Sequence, residues 1–133
     1  MPVDPRRLEL SLGAVPASLA PLRRALSRWL DANGVAPKVA YDIVLAVNES
    51  ATNAIEHAYG PGTASFDFEA VRHGDEVEVI VRDQGHWRPA RGEHRGRGLN
   101  VMRATMDDVD VERGTAGSEV RLRRVVGATN GAS

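Results

Sequence analysis

Cysteine is absent from this chain of 133 residues. That removes disulfides, thiolate nucleophiles and cysteine-based zinc sites, and it fits a reducing compartment. Lysine is almost absent as well: Lys38 is the only one among 17 basic residues. A phosphate site in this chain therefore works without a dedicated lysine, or with Lys38 alone. Neither sign of charge dominates, because the formal net charge is −1. No global field draws in nucleic acid or an anionic membrane, and direct nucleic-acid binding is not expected. No apolar run approaches the roughly 20 residues of a membrane helix. The segment Met1-Pro2-Val3-Asp4-Pro5-Arg6-Arg7 has no apolar stretch behind it of the kind a secretory signal carries. No membrane association and a cytoplasmic location are the expectation.

What is present is ordinary for a soluble globular protein: 42% hydrophobic and 26% charged residues. The length suits one domain, residues 1–133, with an ordered core from about residue 8 to 126 and a frayed tail at 127–133. Leu8-Glu9-Leu10-Ser11-Leu12 alternates like a half-buried strand. Ala17 to Ala32 carries Leu19, Leu22, Leu26, Trp29 and Leu30 at helical spacing and ends at Asn33-Gly34. A second helix runs from Pro37 to about Tyr59, with Val44, Val47, Ala51, Ala54, Ile55 and Ala58 as its apolar face and Gly60-Pro61-Gly62 as its stop. Ala64 to Val71 and Val77 to Val81 alternate around a turn at His73-Gly74-Asp75. Asp83 to Arg97 reads as a long loop, Leu99 to Met106 as a short helix, and Val109–Glu112 and Val120–Arg123 as a closing pair of strands. The order β-α-α-β-β-loop-α-β-β implies an α+β fold: a two-layer sandwich of a mixed, mostly antiparallel sheet with helices on one face.

Four constellations carry chemistry. Glu49, Asn53 and His57 recur every four residues and project from one side of the second helix, beside Asp42 and Glu56. A carboxylate can accept a proton, and a carboxamide oxygen is a hard ligand suited to Mg²⁺. A polar stripe opposite the apolar face is also what any surface helix shows, but mid-helix Asn is a mediocre helix former. Asp83, followed by Gly85, stands at a strand end, where it can accept from an amino group while the glycine lets a flat ligand approach. The plainer alternative is a turn. Arg95-Gly96-Arg97-Gly98-Leu99 opens the short helix, where backbone N–H groups, the helix dipole and arginines favour an anion. It matches neither a P-loop nor a complete dinucleotide-binding glycine motif. Ser118 begins the last strand with a hydroxyl.

Each signal is weak alone, but their order is specific. Glu-x-x-x-Asn late in a long helix, then strand-Asp-x-Gly, then Gly-x-Gly-Leu before a helix, then Gly-Ser-x-Val in the last strand, resembles the GHKL ATPases and their Bergerat (histidine-kinase-like) fold. The stretches VNESATNAIEHAY, VRDQGHWRP and RGRGLNVMRATMDDVDVERGTAGSEVRL resemble the small anti-sigma factor serine kinases of the RsbW and SpoIIAB group, over about Leu8 to Arg123.

The resemblance implies ATP and Mg²⁺ as cofactors, Glu49 as catalytic base, and Asn53 as the Mg²⁺ ligand. It places His57 near the nucleotide and Asp83 on the adenine amino group, with Gly85 allowing close approach. Arg88 to Arg97 would form the lid over ATP. Arg95, Gly96, Arg97, Gly98 and Leu99 would lie at the phosphate end. Ser118 stands where the family usually has Thr and keeps the hydroxyl on the adenine side. The implied partners are a sigma factor, which is sequestered, and a STAS-domain anti-sigma factor antagonist, whose serine is phosphorylated; a homodimer is expected. The alternative is an ATP-binding, partner-sequestering module with little or no kinase activity.

Overall fold

A computed structural model describes residues 4–56, 65–83, 97–114 and 117–127. Five strands form one open sheet: β1 (Arg7–Gly13), β2 (Ser65–His73), β3 (Glu76–Asp83), β4 (Asp108–Gly114) and β5 (Gly117–Val125). Their order is β1-β2-β3-β5-β4, and all four ladders are antiparallel. The helices are α1 (Leu19–Ala32), α2 (Pro37–Glu56) and α3 (Arg97–Thr105).

The strand period of two sorts side chains cleanly. Phe66, Phe68 and Ala70 of β2, Val77, Val79 and Val81 of β3, and Leu122 of β5 are buried in one core with the helices. The helices contribute Leu22, Leu26, Trp29 and Leu30 from α1, Ile43, Ala46, Val47, Ala51 and Ala54 from α2, and Met102 from α3. On the other face, charged residues pair across neighbouring strands and along β5. Glu69 meets Arg7 and Arg82, Arg82 meets Glu119 at 2.8 Å, and Glu119 meets Arg121 at 3.1 Å.

Local chemistry sets the ends. β2 and β3 are joined by Gly74-Asp75, and Gly74 has φ +59, a conformation a glycine adopts without penalty. Pro16 to Ser18 forms a separate single turn of 3-10 helix, so α1 starts at Leu19 rather than Ala17. α1 closes as the Asn33-Gly34 pair implies, with Gly34 at φ 73 and Val35 N–H bonded to Leu30 O at 3.0 Å. α2 begins at Pro37, whose missing N–H costs nothing in the first turn. Arg72 is a buried cation that donates to three carbonyls: Asn33 O, Gly74 O at 2.9 Å and Gly127 O at 2.8 Å. It ties the end of α1 to the hairpin and to the end of β5, and these bonds offset the cost of burying its charge.

Candidate functional site

Antiparallel pairing puts three sequence-distant residues in one row. Asp83 ends β3 and pairs with Ser118 of β5, which pairs in turn with Arg113 of β4. Direct partners share a face, so all three point to the helix side. The next row inward is Val81, Val120 and Val111. Asp83 is only 8% exposed. Ser118 Oγ donates to Asp83 Oδ2 at 2.5 Å. A carboxylate has about four acceptor positions, so the Ser118 bond is not the only one Asp83 can accept.

α2 lies above these rows. Ser50, Asn53 and Ala54, with Leu99 and Met102 of α3 and the two strand rows, line a hollow of about 50 Å³. The walls are mostly apolar, and the polar groups are few and convergent, which is the usual character of a small-molecule site. The volume lies well below the several hundred Å³ of a full ligand pocket.

Glu49 and Asn53 do not lie on an open wet face. The spacing puts them opposite the apolar side of α2, but α3 packs against that side of the helix. A Cβ built on Gly98 would sit 3.3 Å from Asn53 Nδ2 and 3.3 Å from Glu49 Oε1. Glu49 and Asn53 are therefore partly buried, and Gly98 is buried with them. The absent side chain at Gly98 is what lets the first turn of α3 come this close to both. Gly98 and Leu99 stand inside α3, which starts at Arg97 rather than Leu99 and ends at Thr105. Asp42 is also no free surface group, since Arg124 of β5 binds it at 3.0 Å while donating to Thr105 O at the end of α3. Glu56 is exposed.

The structure thus brings Asn53, Asp83, Leu99 and Ser118 to one hollow, with Glu49 and Gly98 against Asn53 at its edge. His57, Gly85, Arg95 and Gly96 lie outside the described residues, as does the segment 84–96 that holds nearly all of the expected lid. Sequence reasoning did not find Ser50, Arg113, Met102 or the valine rows. Arg113 and Val111 could have been found only by pairing β4 on β5 in the correct register. Ser50 looks like helix filler beside Glu49 until the packing shows that it faces the hollow.

The donor set can be tested for a metal. Among the described residues, no group of three His, Asp or Glu side chains is placed to hold a cation. One carboxamide oxygen at Asn53, next to the Glu49 carboxylate, suits an ion that takes most of its ligands from phosphates and water, as Mg²⁺ does. It does not suit a metal that needs a full protein cage.

The chain matches the family model of the histidine kinase-like ATPase domain over residues 12–124. Two proteins named serine-protein kinase RsbW, from Bacillus licheniformis and Bacillus subtilis strain 168, are 32% and 30% identical to it over 131 residues, with 79% of this chain and 77% of each relative covered. Among solved structures, the RsbU and RsbW domains of a Mycobacterium tuberculosis protein align with a TM-score of 0.79 at 26% identity, covering 96% of this chain and 34% of that one. A chain of the SiaB–SiaC complex from Pseudomonas aeruginosa aligns with a TM-score of 0.66 at 17% identity, covering 91% and 90%, and is alike in fold.

Proposed function

This chain belongs to the family of histidine kinase-like ATPase domains, within the RsbW-like group of anti-sigma factor kinases, and on that premise we propose that it is an ATP-dependent serine-protein kinase and anti-sigma factor. In this reading it is cytoplasmic, sequesters a sigma factor and phosphorylates a STAS-domain antagonist. It works as a homodimer. The observation that carries the reading is the meeting of two ends at one hollow. Asp83 and Ser118 form a polar floor between apolar walls, and the first turn of α3 lies against Glu49 and Asn53.

The geometry supports distinct roles. Asp83, oriented by Ser118, accepts from the amino group of adenine, and the valine rows pack on the flat base. The N–H groups opening α3 face the phosphates, and the helix dipole favours their charge there. Asn53 holds Mg²⁺, which neutralises charge on the phosphate oxygens when bound. Glu49 takes the proton from the partner's serine hydroxyl as its oxygen bonds to the γ-phosphorus and the bond to the ADP oxygen breaks. The nucleophile comes from the partner, so the chain needs no activated serine or cysteine of its own. Gly85, His57, Arg95, Gly96 and Arg97 belong to the same proposal, on the nucleotide.

The test uses the purified protein, radiolabelled ATP, Mg²⁺ and purified STAS-domain proteins from the same genome. The reading predicts label on a serine of one of them and capture of a sigma factor by the unreacted kinase. ATP binding without label on any candidate would point instead to a sequestering module. No ATP binding at all would remove both.

A further inference from the structure

Among the described residues, two buried side-chain polar atoms have no hydrogen-bond partner: Trp29 Nε1 and Ser50 Oγ. Trp29 belongs to the α1 core and does not line the hollow. Ser50 does line it, and the residue is only 1% exposed. A hydroxyl inside a helix normally satisfies itself on the carbonyl four residues back. Thr52 does so with Asn48 O at 2.7 Å, and Thr105 with Val101 O at 2.8 Å. Ser50 makes no such bond. A buried donor left unpaired costs free energy, so one that faces a mostly apolar hollow beside a few polar groups is placed for something that enters it.

The neighbouring groups indicate what that is. A hydroxyl has one proton, and Ser118 gives its proton to Asp83. The Asp83 carboxylate has acceptors to offer. Ser50 holds an uncommitted donor in the same hollow; of the other donors on its lining, Arg113 is exposed at the outer edge strand and the Asn53 amide nitrogen is turned toward Gly98 of α3. The adenine edge that carries the amino donor also carries a ring-nitrogen acceptor, N1, beside it. With the amino group on Asp83, that nitrogen needs a donor close beside the carboxylate. A volume of about 50 Å³ also leaves space there for a water, which needs roughly 10–15 Å³ and at least two polar partners.

We infer that Ser50 is a base-reading residue: its hydroxyl donates to the ring nitrogen N1 of an adenine seated on Asp83, directly or through one ordered water. This rests on the nucleotide-binding reading of the site and adds a specificity contact to it. Asp83 and Ser50 together present an acceptor and a donor that match the donor and acceptor of adenine. Guanine reverses both.

Ser50→Ala tests this, because alanine is a good helix former and removes only the hydroxyl. Calorimetric titration would compare ADP with 1-deaza-ADP, in which N1 is replaced by CH, both with Mg²⁺ present. The wild type is expected to bind ADP about tenfold more tightly than 1-deaza-ADP. Ser50→Ala should bind ADP about tenfold more weakly and distinguish the two ligands by less than about twofold. Without nucleotide, the variant should melt at or above the wild-type temperature, since it has lost an unsatisfied buried group. Undiminished ADP affinity, or full discrimination retained by the variant, overturns the inference and leaves the ATPase reading standing. A variant that melts well below wild type without nucleotide makes Ser50 a structural residue and also overturns it. A wild type that binds no ADP overturns the inference together with the reading beneath it.

Discussion

Ser118 Oγ donates to Asp83 Oδ2 at 2.5 Å across a pair of strands in which the two residues are direct partners. The bond fixes the carboxylate's orientation and commits the hydroxyl proton. It leaves Asp83 with acceptors only, which is the property an amino-bearing base requires. Asp83→Asn replaces part of that acceptor pair with a donor. ATP affinity should fall by about ten- to a hundredfold, the cost of a charge-assisted bond of roughly 1.5–3 kcal/mol. Titration calorimetry reads this directly, and an equally tight ATP complex would remove Asp83 from the adenine site.

Glu49→Gln keeps the shape of the side chain and removes its basicity. Phosphotransfer to the antagonist should drop by about a hundredfold or more, as expected for the loss of a general base. ATP affinity should stay within about threefold, because in the proposed mechanism the carboxylate acts on the serine and not on the nucleotide. Initial-rate assays alongside binding measurements separate the two, and a wild-type rate would clear Glu49 of the base role.

Asn53→Ala should abolish the contribution of Mg²⁺ to nucleotide binding. In the wild type, chelation with EDTA should weaken ATP binding by at least about tenfold, as expected when a charge-neutralising ion is lost. In the variant the same treatment should change little. An unaltered Mg²⁺ effect in the variant would place the ion elsewhere.

Gly98→Ala puts a methyl group 3.3 Å from both Asn53 Nδ2 and Glu49 Oε1. Those atoms or α3 must give by a few tenths of an ångström. Alanine is a better helix former than glycine, which offsets part of the cost of that shift, so the melting temperature should change little. ATP affinity should still fall by about tenfold, because the displaced pair belongs to the proposed phosphate end of the site. A loss of stability with affinity intact would show that the close approach serves packing alone.

Glu119 is held below the usual carboxylate range, first by the hydrogen bond from Arg82 and then by that from Arg121. A carboxyl whose folded-state pKa is depressed stabilises the fold above its unfolded value of about 4.3, and that contribution is lost as pH falls through the folded value. Glu119→Gln should therefore cost about 0.5–1 kcal/mol near neutral pH. The difference from wild type should start to shrink below about pH 4.3 and vanish only once pH has passed below the depressed folded value. Urea unfolding across that range measures it, and a gap that persisted in acid would assign the loss to packing.

Much of the fold is legible in the chain because periodicity and end chemistry are local. The apolar repeat of α1, the Asn33-Gly34 stop, Pro37 at the start of α2 and the Gly74 turn each stand where the structure has them. The differences lie at ends. α3 reaches back to Arg97 and takes in Gly98, because packing on α2 rewards a helical turn that glycine alone would not favour.

The site is legible in part. Glu49 and Asn53 are visible as a pair four residues apart, but the helical wheel puts them toward water, and only the packing of α3 gives them partial cover. Asp83 and Ser118 stand 35 positions apart, and nothing in either segment alone says that they meet. Ser50, next to Glu49, carries no local signal at all.

By itself the sequence determined the element types, their order and the polar residues available for chemistry, since these depend on neighbours within a turn or a strand. The tertiary structure decided the register of β3, β4 and β5 and the closeness of α3 to α2. Those set the row Asp83–Ser118–Arg113, the cover over Glu49 and Asn53, and the unsatisfied hydroxyl at Ser50. Each is a contact between distant segments, and burial, unlike periodicity, is settled only when those segments pack.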